Sequence, residues 1–121
     1  MPETVLILGA SENPMRYSHN ATLMLLEYGH NPVLVGKSGM EVMGIPIHRD
    51  IPEDFSKPDT ITLYINPLHQ QAWLDKIIGL QPGRVIFNPG TENPEFMEKL
   101  EAANISYLEA CTLVMLRAGQ F

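Results

Sequence analysis

Cysteine is almost missing from this 121-residue chain: Cys111 stands alone, so no internal disulfide can form. Positive charge is scarce as well. Eight Lys and Arg face fourteen Asp and Glu, a formal charge of -6, and the long-range field of such a chain repels nucleic acid and anionic membranes. An anionic ligand would have to be held by local groups. No apolar run approaches the ~18 residues that a membrane-spanning helix needs. A basic, apolar leader is also missing from the N terminus, and the expected address is the cytoplasm. The four histidines, His19, His30, His48 and His69, show no ligand spacing such as a pair four apart on a helix, so no metal is expected. What is present is apolar material: hydrophobic residues make up 45% and charged residues 18%, enough for one packed core and too little charge for a disordered chain. A chain of this length without repeats or linkers is expected to form a single domain over residues 1–121.

Short apolar runs alternate with stretches of helical spacing. Thr4-Val5-Leu6-Ile7-Leu8 ends at Gly9 and reads as a strand buried on both faces. After a polar loop, Ala21, Met24, Leu25 and Tyr28 recur at the spacing of one helix face, and Gly29 closes that helix. Pro32-Val33-Leu34-Val35-Gly36 is a second strand. Ile45-Pro46-Ile47-His48 is a third, assigned to a sheet edge by its proline. Thr60–Ile65 follows, then a helix opened by Asn66 and Pro67 and marked by Ala72, Trp73, Lys76, Ile77 and Leu80. Arg84–Phe87, a helix opened by Asn93-Pro94, and Ile105–Leu108 complete the series, and Thr112–Gly119 is apolar enough for a short packed helix, although an apolar run alone does not separate helix from strand. Strands joined by single helices imply parallel βαβ units. The expected architecture is α/β, a Rossmann-like open and mostly parallel sheet of five or six strands with helices on both faces.

In such a sheet ligands bind outside the carboxyl ends of the strands. The loops that matter are therefore Gly9–Ser18, Gly36–Gly39, Asn66–His69 and Asn88–Thr91. The first leads into a helix whose opening N–H groups lack partners, a setting that suits a phosphate or pyrophosphate. Gly9 permits close approach, Ser11 and Ser18 add hydroxyls, Ala10, Asn13 and Tyr17 lie in the same loop, and the Arg16 guanidinium offers paired donors. The dinucleotide glycine pattern is not met, since Ser11 and Pro14 occupy the positions of its second and third glycines. After the second strand the chain presents Gly36 and Lys37 where an NAD enzyme usually places an acid. A cation there suits a phosphorylated ribose, as in coenzyme A or NADP. The plainer alternative is an ordinary turn with solvated Arg and Lys side chains.

Gly9-Ala10-Ser11, Asn13-Pro14, Arg16 and Ser18, followed by a helix ending Leu26-Glu27-Tyr28-Gly29, resemble the opening of the small bacterial CoA-binding proteins. These are relatives of the nucleotide-binding domain of the succinyl-CoA synthetase alpha subunit. The likeness continues through Glu41–Pro46 and Asp50–Glu53 to the late Cys111. It implies coenzyme A as cofactor, with its phosphates near Gly9, Ala10, Ser11, Arg16 and Ser18 and its adenosine end near Gly36 and Lys37. The pantetheine arm would pass Ile65, Asn66 and Pro67 toward Asn88 and Gly90. Members commonly carry Asn-Pro-Lys where this chain has Gly36-Lys37-Ser38, and Gln-Leu-Gly where it has Asn88-Pro89-Gly90.

Cys111 is taken as a packing residue rather than a nucleophile, Trp73 as core, and most of the methionines as core filler, with Met15 at the ligand mouth. No carboxylate pair marks an acid–base centre. The expectation is a protein that binds coenzyme A or acyl-CoA without an evident catalytic apparatus. Its rivals are an NADP-binding reductase-like protein and a partner-binding subunit, or homodimer, with an empty nucleotide cleft.

Overall fold

The apolar run near the start of the chain becomes strand β1 (Thr4–Leu8) and lies in the middle of the sheet, with Val5 to Leu8 fully buried. The computed structural model describes residues 2–121. Around β1 stand β2 (Asn31–Val35), β3 (Glu41–Val42), β4 (Ile45–His48), β5 (Thr60–Leu63), β6 (Arg84–Phe87) and β7 (Tyr107–Glu109). Their order across the sheet is β3-β4-β2-β1-β5-β6-β7, all parallel except β3, which pairs antiparallel with β4. There are seven strands rather than the five or six expected. The extra one, β3, has only two residues, too few for any periodicity. It also removes Ile45–His48 from the edge. Pro46 faces Glu41 in the hairpin, and pairing with β2 begins only at Ile47, so the missing proline N–H costs the parallel ladder nothing.

Alternation along the strands divides the core in two. Leu6, Leu8, Ile61, Leu63, Val85 and Phe87 point to one face of the sheet. There they meet α3 (Leu74–Leu80) through Leu74 and Ile77, and α4 (Pro94–Ala102) through Phe96, Met97 and Leu100. Val5, Ile7, Leu34 and Ile47 point to the other, covered by Leu25 of α1 (Tyr17–Glu27) and Leu116 of α5 (Thr112–Arg117). Helices on both faces agree with the expected architecture. The buried side of α1 is Ser18, Ala21, Thr22 and Leu25; Tyr28 lies beyond the helix end and is exposed. Gly29, at φ +85, closes α1 as its position implied, and its N–H reaches back to the Leu26 carbonyl. Asn66 and Asn93 cap the helices that follow them, accepting from the N–H groups of Leu68 and Phe96. The stretch after Asn66 is not one helix. It breaks into α2 (Pro67–Gln70), a 3-10 turn (Gln71–Trp73) and α3. No helix among the described residues is long and apolar enough to cross a membrane.

The chain leaves β1 toward β2 and β4, then returns across the sheet to β5 on the other side of β1. Loops at the carboxyl ends of β1 and β5 therefore diverge, and a crevice opens between them.

Candidate functional site

That crevice is a cleft of about 1030 Å³, at the upper end of the range of roughly 300–1,000 Å³ usual for small-molecule sites. Its walls come from four loops: Gly9 to Ser18 after β1, Val35 to Ser38 after β2, Tyr64 to Asn66 after β5, and Pro89 to Thr91 after β6. Arg49, His69 and Trp73 complete them. Of the residues proposed from sequence, Gly9, Ala10, Ser11, Arg16, Tyr17, Ser18, Gly36, Lys37, Ile65, Asn66 and Gly90 all line this cleft. Asn13, Pro67 and Asn88 do not.

The first loop is held by its own side chains. Ser11 Oγ accepts from the Asn13 N–H at 3.0 Å, and Asn13 Oδ1 accepts from the Met15 N–H at 3.0 Å. Asn13 is thus a turn-former. The N–H groups of Gly9 and Ala10 both donate to the Val35 carbonyl at 2.9 Å, so neither N–H is open to a ligand. Gly9 is required by crowding, because a Cβ there would lie 2.9 Å from the Tyr64 carbonyl carbon and oxygen. Gly36 is required likewise, since its Cβ would collide with the Ala10 carbonyl oxygen. The two glycines let the three loops close on one another.

The donors left open lie one step further along. The N–H groups of Ser11, Glu12, Tyr17 and Ser18 have no hydrogen-bond partner among the described residues. Arg16 occupies the N-cap of α1, and an arginine has no acceptor with which to cap, so the first N–H groups of that helix stay unsatisfied. Arg16 itself is exposed on the cleft wall and forms no ion pair among the described residues. Lys37 and Arg49 add two more cations, so three of the eight basic side chains line one cleft. Glu12 is the only carboxylate on that wall, and its Oε2 is buried without a hydrogen-bond partner among the described residues.

Beneath the cleft lies a polar bracket. Asn88 is buried, and its amide donates to Thr62 Oγ1 at 2.6 Å and to the Leu63 carbonyl at 2.9 Å while accepting from the Thr112 N–H at 2.9 Å. With its hydrogen-bonding capacity spent, it ties β5, β6 and α5 together. Gln70, also buried, donates to the carbonyls of Ile65 and Thr91 at 2.8 and 2.7 Å and fixes the two far walls of the cleft to each other. Tyr64 closes the floor. Burial pushes its phenol up to about 12, against the lowering effect of the nearby Thr112 and Thr62 hydroxyls, so it stays neutral at ordinary pH. Trp73, expected in the core, packs against it half-buried and also reaches the cleft, with Lys76 Nζ 5.0 Å from its ring centroid. Arg49, Gln70 and Tyr64 escaped the sequence reading because their places depend on pairings between distant segments. Proximity of Tyr64 to Asn66, a loop residue already singled out, was the only local hint.

An open parallel sheet with unpaired N–H groups and cations gathered at its switch point is the frame of a nucleotide-binding protein. The chain belongs to the CoA binding domain family, whose profile matches residues 3–117. It is similar to a protein of known crystal structure described only as uncharacterized, with 43% identity and a TM-score of 0.94 over 100% of this chain and 99% of that one. A Thermus thermophilus protein shares 26% identity at a TM-score of 0.84, over 99% of this chain and 91% of that one. A conserved hypothetical protein from Pyrococcus furiosus shares 25% at 0.78, over 94% and 98%. No protein with curated annotation matches the chain.

Proposed function

We propose that the protein binds coenzyme A, free or acylated, as a binding module without a reaction of its own. The observation that carries this reading is the corner at the start of α1, where Ser11, Glu12, Tyr17 and Ser18, all with unpaired N–H groups, and Arg16 line one cleft in a chain of charge -6. Family membership supports the ligand class. The pyrophosphate rests on the N–H groups of Ser11, Glu12, Tyr17 and Ser18 and is clasped by Arg16. The adenosine end lies toward Gly36 and Lys37, and the pantetheine arm runs past Ile65 and Asn66 toward Gly90. Asn66 uses its Oδ1 to cap α2 and keeps its amide N–H groups for the arm. The buried oxygen of Glu12 accepts from a ligand hydroxyl or amide.

Among the described residues of the cleft wall Glu12 is the one carboxylate, and the Tyr64 phenol holds its proton. Calorimetry with coenzyme A, acetyl-CoA and NAD tests the reading. Coenzyme A should bind, NAD should not, and Arg16→Ala should weaken coenzyme A by about 1.5–3 kcal/mol, the worth of a charge-assisted contact. An Arg16→Ala protein that binds coenzyme A as tightly as its parent contradicts this placement of the pyrophosphate.

A further inference from the structure

The wall after β2 carries a cation that the spacing of the sequence did not single out. The Gly36 N–H donates to the His48 carbonyl at 2.8 Å, which lays the end of β4 beside the end of β2. Arg49 thereby arrives on the same cleft wall as Lys37, although twelve positions separate them in the chain. Gly39 provides the space for its head. A Cβ at Gly39 would lie 3.0 Å from Arg49 Nε and 3.3 Å from Nη2, so the guanidinium packs directly on this glycine, whose φ is +68. A Cβ there would make the fork give by a few tenths of an ångström.

The charge of Arg49 is also left free. Its neighbour Asp50 is engaged by Lys76 at 2.8 Å, and among the described residues Arg49 forms no ion pair. Burial does not explain a side chain so placed, because Arg49 is exposed. An unquenched planar fork on the same cleft as Lys37 can pair with two oxygens of a tetrahedral dianion, which Lys37 alone would meet only as a point charge.

We infer that Arg49, together with Lys37, is the receptor for a phosphomonoester on the ribose of the bound nucleotide, and that Arg49 makes the cleft prefer a phosphorylated ribose to a bare one. The inference rests on the coenzyme A reading for the identity of the ligand. Two sources share this chemistry: the 3′-phosphate of coenzyme A and the 2′-phosphate of NADP.

Titration of the protein, Arg49→Ala and Arg49→Lys with coenzyme A, 3′-dephospho-CoA, NADP and NAD separates the outcomes. The parent should bind coenzyme A roughly tenfold to a hundredfold more tightly than 3′-dephospho-CoA. Arg49→Ala should lose most of that ratio by weakening coenzyme A alone, with 3′-dephospho-CoA unchanged, and Arg49→Lys should recover only part of it. Equal binding of the two ligands by the parent overturns the inference and leaves the coenzyme A reading intact. So does a full ratio in Arg49→Ala. A parent that ignores coenzyme A but prefers NADP to NAD, with the preference lost in Arg49→Ala, overturns the ligand assignment while upholding Arg49. Binding of none of the four overturns both.

Discussion

Tyr64 shows how a single side chain is defined by what is packed over it. Gly9 presses so closely on its backbone that a methyl group would not fit, and its phenol sits in the cleft floor near Thr62, Thr112 and Cys111. Desolvation disfavours the phenolate and raises the group from 10.0 to about 12. The consequence for stability has a definite sign. A phenol that holds its proton more firmly when folded contributes fully below its unfolded value, and that contribution fades as pH rises through the folded value. Stability should therefore fall between about pH 10 and 12, by on the order of 2 kcal/mol attributable to this residue. Urea denaturation across that window should show the decline in the parent and a shallower one in Tyr64→Phe. Equal slopes in the two proteins would mean that the phenol is not desolvated.

Among the elements, β5, β6 and α5 are tied to one another by a single side chain, the buried Asn88 amide. It makes three hydrogen bonds with buried partners, and its own carbonyl accepts from Thr91 Oγ1 at 2.8 Å. Asn88→Ala should strip partners from the Thr112 N–H and the Leu63 carbonyl and destabilise the fold by about 3 kcal/mol, measured by chemical denaturation. A loss below about 0.5 kcal/mol would show that water or another group replaces the amide. The pattern of elements was largely legible beforehand. The strands at Thr4–Leu8, Thr60–Leu63 and Arg84–Phe87 announce themselves by apolar runs, and the Asn-Pro pairs mark the two helix starts by cap chemistry. Two-residue β3 and the break at Gln71–Trp73 were not legible, because neither has a period. The Asn88 loop was read correctly as lying at the carboxyl edge, yet its amide faces inward. Only the register of β6 against β5, which pairs Phe87 with Leu63, brings Thr62 and the Leu63 carbonyl within reach of the Asn88 amide.

On the scale of the whole molecule, the strand order explains why a chain of charge -6 has a cationic cleft at all. Arg16, Lys37 and Arg49 come from three separate segments and share one site only because β2 and β4 lie on the same side of β1 as the loop that carries Arg16 turns over the sheet. Helix-end physics made the first loop legible from sequence, whereas the clustering of the three cations is a property of the topology. The same topology tells which amides are free. Gly9 and Ala10 are spent on the Val35 carbonyl, and Ser11, Glu12, Tyr17 and Ser18 are not. An amide-resolved nuclear magnetic resonance titration of the labelled protein with coenzyme A tests this most directly. The account expects the largest downfield shifts at Ser11, Glu12, Tyr17 and Ser18, with small ones at Gly9 and Ala10. Shifts confined to the opposite end of the sheet, or to Gly9 and Ala10 with the start of α1 silent, would contradict it.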